Sequence, residues 1–234
     1  MPSSPGSTCI LDNRCYGHPT CAVIRHGNSV AVSLVCSEEA LWASYSSVHR
    51  NMVRKAVKHG LECRESPWAE GLPAFTQLYE TTMRRVGAAD HAYYSRAFFE
   101  ALAARLGESV RLWAVYARGR MVAAALFLPS RGRIFYDLAA SDADHREAAP
   151  NNLLLHTVAA WGRANGFTSP FLWDGSGNAN LMRFKASVSN DRLTQYIGRR
   201  VHNRKTYDDL CRRWLRAKGG ATRLPAVTFP YRVT

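Results

Sequence analysis

Three largely apolar runs of strand length, Val110 to Ala117, Met121 to Leu128 and Arg133 to Ala139, follow one another almost without pause. Only the turns Arg118-Gly-Arg120 and Ser130-Arg-Gly-Arg133 separate them. Connections this short join antiparallel neighbours, because a parallel pair needs a crossover of a dozen or more residues. The middle of the chain is therefore expected to be an antiparallel meander. The loop SDADHREAAPNN then leads into a helix from about Asn151 to Asn165, with Leu154, Leu155, Val158 and Trp161 inward and Gly166 closing it. A strand over Phe171 to Asp174 follows, so this helix crosses between neighbouring strands.

Upstream, residues 1 to about 28 mix Pro, Ser, Gly, Cys and Asn without periodicity and are expected to be loose. Ser29 to Cys36 reads as a strand, and Ser37-Glu-Glu opens a helix that continues, with an interruption, to His59 and closes at Gly60. Phe75, Leu78, Tyr79, Thr82 and Val86 give one core face to a helix from about Leu72 to Arg85. Phe98, Phe99, Leu102 and Leu106 do the same for Ser95 to Leu106. A strand near Leu193 to Ile197 and a helix from Tyr207 to Lys218 complete the order. Helices on a mixed, mostly antiparallel sheet make an α/β layer fold of the α+β kind.

The 234 residues are 47% hydrophobic and 21% charged, an ordinary globular composition. The longest apolar run, Met121 to Leu128, stops at Pro129, far short of the ~20 residues of a membrane span. No basic start followed by an apolar block marks a signal peptide, so a cytoplasmic location and reduced cysteines are expected. Cys9, Cys15 and Cys21 are evenly spaced with His18 among them, but wider than zinc pairs, and Asp142-Ala-Asp144-His145 reads as a polar loop; no metal is expected. The formal charge is +13, of which Arg183 to Arg223 carries +9. That density suits an anionic partner such as RNA, a nucleotide-linked substrate or, through peripheral contact, an anionic membrane surface; a solvated helix face is the alternative.

Four stretches, in this order, resemble the FemAB-like group of the GNAT acyltransferase superfamily: Leu41-Trp42 with HRNMVRKAVKHGL, FTQLYETTMRRVGA, APNNLLLHTVAAWGRANGF, and LWDGSG…MRFKASVS with Tyr196 and Tyr207-Asp-Asp-Leu. The resemblance covers roughly residues 29–215 and implies a GNAT-like mixed sheet flanked by helices. It implies a remnant strand and linking helix of a first domain over 29–66, an acyltransferase domain over 67–218 and a tail over 219–234. Family members carry a whole domain before the Leu-Trp stretch, so most of that domain is expected to be missing.

The resemblance implies transfer of an aminoacyl or acyl group onto an amine, in cell-wall or peptide-conjugate synthesis, without a cofactor. In it the Phe-Lys lysine lies at the aminoacyl donor, so Phe184 and Lys185 carry over. A cation there stabilises the oxyanion of the tetrahedral species; a lysine whose stem merely covers the core is the alternative. Asp174, ahead of Gly175, either orients or deprotonates the amine or caps its own turn. Tyr136 and Asp137, in the middle strand, are candidates for the same cleft, though a strand tyrosine is more often a packing residue, and Asn151 stands with the substrate-binding residues at the head of the crossing helix. Arg50, Arg54 and Lys58 form a stripe that would grip a phosphate; a solvated helix face is the alternative, and the readier one. GNAT enzymes using acetyl-CoA cradle its pyrophosphate with a glycine-containing loop before that helix. Here Arg146-Glu-Ala-Ala-Pro-Asn has no glycine, which favours aminoacyl-tRNA over acyl-CoA as donor. A CoA-dependent N-acyltransferase and a non-catalytic RNA- or partner-binding remnant are the other readings.

Overall fold

The structure is a computed structural model that describes residues 21–168, 171–173, 179–189 and 191–219. In chain order the elements are β1 Cys21–Val32, α1 Glu38–Ser44, α2 Ser47–Lys58, β2 Leu61–Glu65, α3 Trp68–Arg85, α4 Arg96–Leu106, β3 Arg111–Ala117, β4 Arg120–Ser130, β5 Arg133–Ser141, α5 Pro150–Ala164, β6 Phe171–Trp173, α6 Ala179–Val188, β7 Asp191–Arg200 and α7 Arg204–Ala217. They fall into two compact units, Ser29–Arg192 and a smaller one that takes in the first part of β1, most of β7 and α7.

The larger unit is built on the sheet β2-β3-β4-β5-β6-β1. The meander is as its turns require. Arg118 and Gly119 have φ of +50° and +79°, and Arg131 and Gly132 have +49° and +75°. Two successive left-handed residues make the mirror-image turn whose twist matches the flanking strands. β5 then pairs in parallel with β6, Ile134 opposite Phe171 and Tyr136 opposite Trp173, with α5 as the crossover. The last residues of β1 close the far side antiparallel, Ala31 opposite Leu172.

Both faces of this sheet are covered, and β4 is buried from Met121 to Phe127. Val115, Phe127 and Ile134 pack with Leu41, Val53, Leu154, Val158 and Val188 from α1, α2, α5 and α6. On the opposite face Leu112, Ala124 and Leu126 meet Phe75 and Tyr79 of α3 and Phe99 of α4. This is the mixed, helix-flanked sheet that the residue pattern predicts. Among the described residues no helix is long and apolar enough to cross a membrane.

Some expectations are corrected. The first strand begins at Cys21, inside the stretch expected to be loose, and ends at Val32, because the chain must turn for Ser37 Oγ to accept from Ala40 N–H at 3.2 Å. β2 was not expected: it is five residues long, with only Leu61 fully buried. Val86, Phe98 and Leu106, assigned to core faces, are exposed, and all three lie at helix ends. In the smaller unit α7 buries Cys211 and pairs Arg204 with Asp208 at 3.0 Å and Arg213 with Asp209 at 2.8 Å, so part of the tail's positive charge is neutralised on its own helix.

Gly162 sets how closely α5 lies on the sheet. A Cβ there would overlap Ile134 Cδ1 and stand 3.1 Å from Leu34 Cδ1. Gly162→Ala is expected to destabilise the fold by about 1–2 kcal/mol, overpacking outweighing a helix-propensity gain of about 1 kcal/mol. In an Ile134→Val background, which lacks the obstructing methyl, the same change is expected to be neutral or stabilising. Urea midpoints of the four proteins check this, and simple additivity would refute the packing account.

Candidate active site

β5 carries a register shift against β4: Phe127 faces Tyr136, but Ala125 faces Ala139, so β5 holds one extra residue. Such a bulge bends its strand and re-aims side chains. Pairing with β6 is recorded as far as Tyr136 and Trp173, where the bulge begins. A cavity of about 480 Å³ opens there. Its walls are Met52 of α2, Arg85 and Val86 at the end of α3, Tyr136 and Ser141 of β5, Asp142, Ala143 and Arg146 of the following loop, Ala149 to Asn152 at the start of α5, and Phe184 of α6.

Three residues singled out in the sequence, Tyr136, Asn151 and Phe184, thus meet in one cavity. Burial holds the Tyr136 phenol well above its usual pKa, so it stays protonated and able to donate. Asp137 does not share this cleft as expected. Side chains alternate along a strand, and Asp137 acts electrostatically on Tyr79, under α3 on the other face. Lys185 is 3% exposed on α6 and takes part in an interaction within the fold. Such burial excludes a snorkelling lysine, whose ammonium would stand in water. Asp174 and Gly175 lie outside the described residues.

Arg50 donates from Nη1 to the carbonyls of Ala43, at 3.3 Å, and Tyr45, closing the C-terminus of α1. Arg54 stacks over Trp42 at 5.3 Å and donates to Asn51 Oδ1 at 3.2 Å. Both arginines therefore have partners inside the fold. Asp142 pairs with Arg120 at 3.0 Å and His145 at 3.2 Å, and accepts from Asp144 N–H at 3.0 Å, a self-contained turn at the cavity's edge.

The start of α5 is a poor phosphate cradle. The first N–H groups of a helix have no partner within it and can receive an anion. Here Pro150 has none to offer, and that of Asn152 turns back to Ala149 O at 3.1 Å, an oxygen that also takes the ordinary first helical bond from Leu153 N–H at 3.4 Å. Ala149 itself is left-handed, φ +58°, a conformation that would suit glycine. Asn151 supplies the remaining N–H of this turn.

A buried polar cluster behind the cavity was not foreseen. His49, 0% exposed, accepts at Nδ1 from Asn152 Nδ2 at 2.8 Å, while its Nε2 is sealed without a partner. An unpaired buried polar group of this kind costs about 1–3 kcal/mol. Tyr45 stands edge-on to His49 at 4.7 Å and meets His156 Nδ1 through its hydroxyl at 3.4 Å. Burial, and secondly His156, hold His49 down to about 4. One turn earlier, Ser46 Oγ and N–H both donate to Ser187 O of α6, at 2.6 and 3.2 Å. A histidine on the apolar side of a basic helix, seven residues from Trp42, was the available signal.

Residues 43–178 match the family described as Acetyltransferase (GNAT) domain. A comparison of the sequence with curated proteins finds no match. Among solved structures, FemX aligns with a TM-score of 0.68 at 16% identity, over 79% of this chain and 64% of that one. L-PGS from Bacillus licheniformis aligns at 0.57 and 13% identity, over 79% and 63%. The C-terminal domain of a putative lysylphosphatidylglycerol synthetase from Agrobacterium fabrum aligns at 0.56 and 12%, over 89% and 70%. At these identities the likeness is one of fold, and the chain spans less than two thirds of the first and second of these proteins.

The state of His49 is open to measurement. Unfolded, it takes up a proton near pH 6.5; folded, only near pH 4. Between these values the unfolded state binds more protons, so stability falls as pH drops from about 6.5 to about 4, by roughly 3 kcal/mol from this residue. His49→Gln cannot titrate and is expected to lose that much less stability between pH 7 and pH 4. Equal pH dependence of the two urea midpoints would refute it.

Proposed function

This chain belongs to the acetyltransferase (GNAT) domain family, and on that premise we propose that it transfers an aminoacyl group from aminoacyl-tRNA to an amine, in peptidoglycan or peptide-conjugate synthesis. The observation that carries this reading is the start of α5. A CoA donor must place its pyrophosphate, and this turn, with its proline and the Asn152 N–H directed to Ala149 O, is ill suited to hold one. An aminoacyl ester on tRNA needs no such cradle, because phosphate contacts elsewhere on a protein of charge +13 supply its affinity. The FemX fold supports the same direction.

In this mechanism Phe184 shapes the donor side of the cavity and Tyr136 donates a hydrogen bond into it. Lys185, one residue beyond Phe184 on α6 and not itself on the cavity wall, polarises the ester carbonyl from behind that wall. Asp174 positions the amine. The amine nitrogen forms the new C–N bond, the ester C–O bond breaks, and the proton lost by nitrogen ends on the released ribose hydroxyl. No covalent enzyme intermediate is needed. CoA-dependent N-acyl transfer is the second reading, favoured by the family's own description and by Arg85 and Arg146 on the cavity wall.

Labelled aminoacyl-tRNAs offered with a peptidoglycan-precursor acceptor, and labelled acetyl-CoA in parallel, separate the two. Transfer from tRNA is expected, falling about 10²- to 10³-fold in Lys185→Met, which keeps the stem and removes the charge. Unchanged melting of that variant separates lost chemistry from lost folding. Transfer from acetyl-CoA alone would establish the second reading, and transfer indifferent to Lys185→Met would remove the lysine from the mechanism.

A further inference from the structure

Asn152 offers the cavity a polar atom of defined identity. Its Nδ2 donates to His49 Nδ1 at 2.8 Å. Its Oδ1 is not among the sealed, unpaired side-chain atoms, and Asn152 lines the cavity, so the oxygen is the end presented there. An asparagine's last torsion is broad and two-fold, so left alone either end of the carboxamide would face outward. His49 decides between them. A neutral ring accepts at Nδ1 and draws in the NH₂; a protonated ring would donate there and reverse the carboxamide. The ring is neutral at ordinary pH, since burial holds His49 down to about 4. The arrangement leaves a hydrogen on Nε2, buried and without an acceptor. A polar pair kept at that cost on a cavity wall points to a ligand.

An exposed carboxamide oxygen is an acceptor only, so its ligand must bring N–H or O–H. Asp142, the carboxylate on the same wall, is engaged by Arg120 and His145. We propose that Asn152 Oδ1, oriented by His49, receives an N–H of the primary amine acceptor and so positions its nitrogen in the cavity. This rests on the cavity being the acyl-transfer site. Asn152 then touches the substrate, and His49 is a positioning residue acting through it.

Two probes of equal charge test this, n-butylammonium and n-butyltrimethylammonium, because the second has no N–H. In NMR titrations of the full chain, the primary amine is expected to shift the Asn152 side-chain amide and the His49 ring nitrogens; the quaternary amine is not. Asn152→Leu and His49→Phe are each expected to weaken n-butylammonium binding about 10-fold. His49→Gln, whose Oε1 can accept from Asn152 Nδ2, is expected to restore it to within about 3-fold. Equal response to the two probes, no response of these side chains to either, or undiminished binding in folded Asn152→Leu overturns the proposal. The readout is independent of turnover. Selective binding without any transfer would leave the site standing and remove the reaction; transfer with Asn152 unmoved by the amine would do the reverse.

Discussion

The cavity depends on one turn of helix. Ser46 and His49 stand at the start of α2, and between them they hold two other helices: Ser46 takes Ser187 O of α6, and His49 takes Asn152 of α5. Phe184 and Asn152, which both line the cavity, keep their relation because α6 and α5 are tied to the same turn. Neighbouring side chains fix it further, with Tyr45 packed edge-on against both His49 and His156. Bonds of this kind contribute little net energy each, but a buried partner left alone is costly, so the set holds or fails together.

The sheet supplies the opening that these helices frame. A parallel neighbour and an antiparallel one meet on β5, and the extra residue after Tyr136 lets the strand bend away where the ladders would otherwise run on. Tyr136 is left at the floor with its phenol protonated. Acyl transfer to an amine asks for a place where a carbonyl can be polarised and an amine held neutral and near. A half-enclosed cavity with hydrogen-bonding groups on rigid elements meets that demand better than a loop would.

Much of this was readable beforehand, and for identifiable reasons. The hairpin turns were legible because Arg-Gly pairs between β-rich runs leave no other connection. The crossing helix was legible because Leu154, Leu155 and Val158 repeat at helical spacing and Gly166 ends them. Phe184 was singled out because a family pattern carried it, Asn151 because it heads the crossing helix, and Tyr136 because of its place in the meander; nothing local marked them as neighbours. β2 was missed because five residues, three of them charged, look like a loop. Asp137 was misplaced because adjacency in sequence suggested a shared cleft, while a strand sends consecutive side chains to opposite faces.

By itself the sequence determined the order of helices and strands apart from β2, the meander, the crossover and the weakness of the phosphate turn, since each rests on local torsional preference or on a missing N–H. Pro150 could not donate in any fold. Only the tertiary structure decided that His49 and Asn152, about a hundred positions apart, would share a hydrogen bond, and that Lys185 would be enclosed rather than reach for water. Burial and long-range pairing arise from how elements stack, and no periodicity records which partner a buried polar side chain will meet.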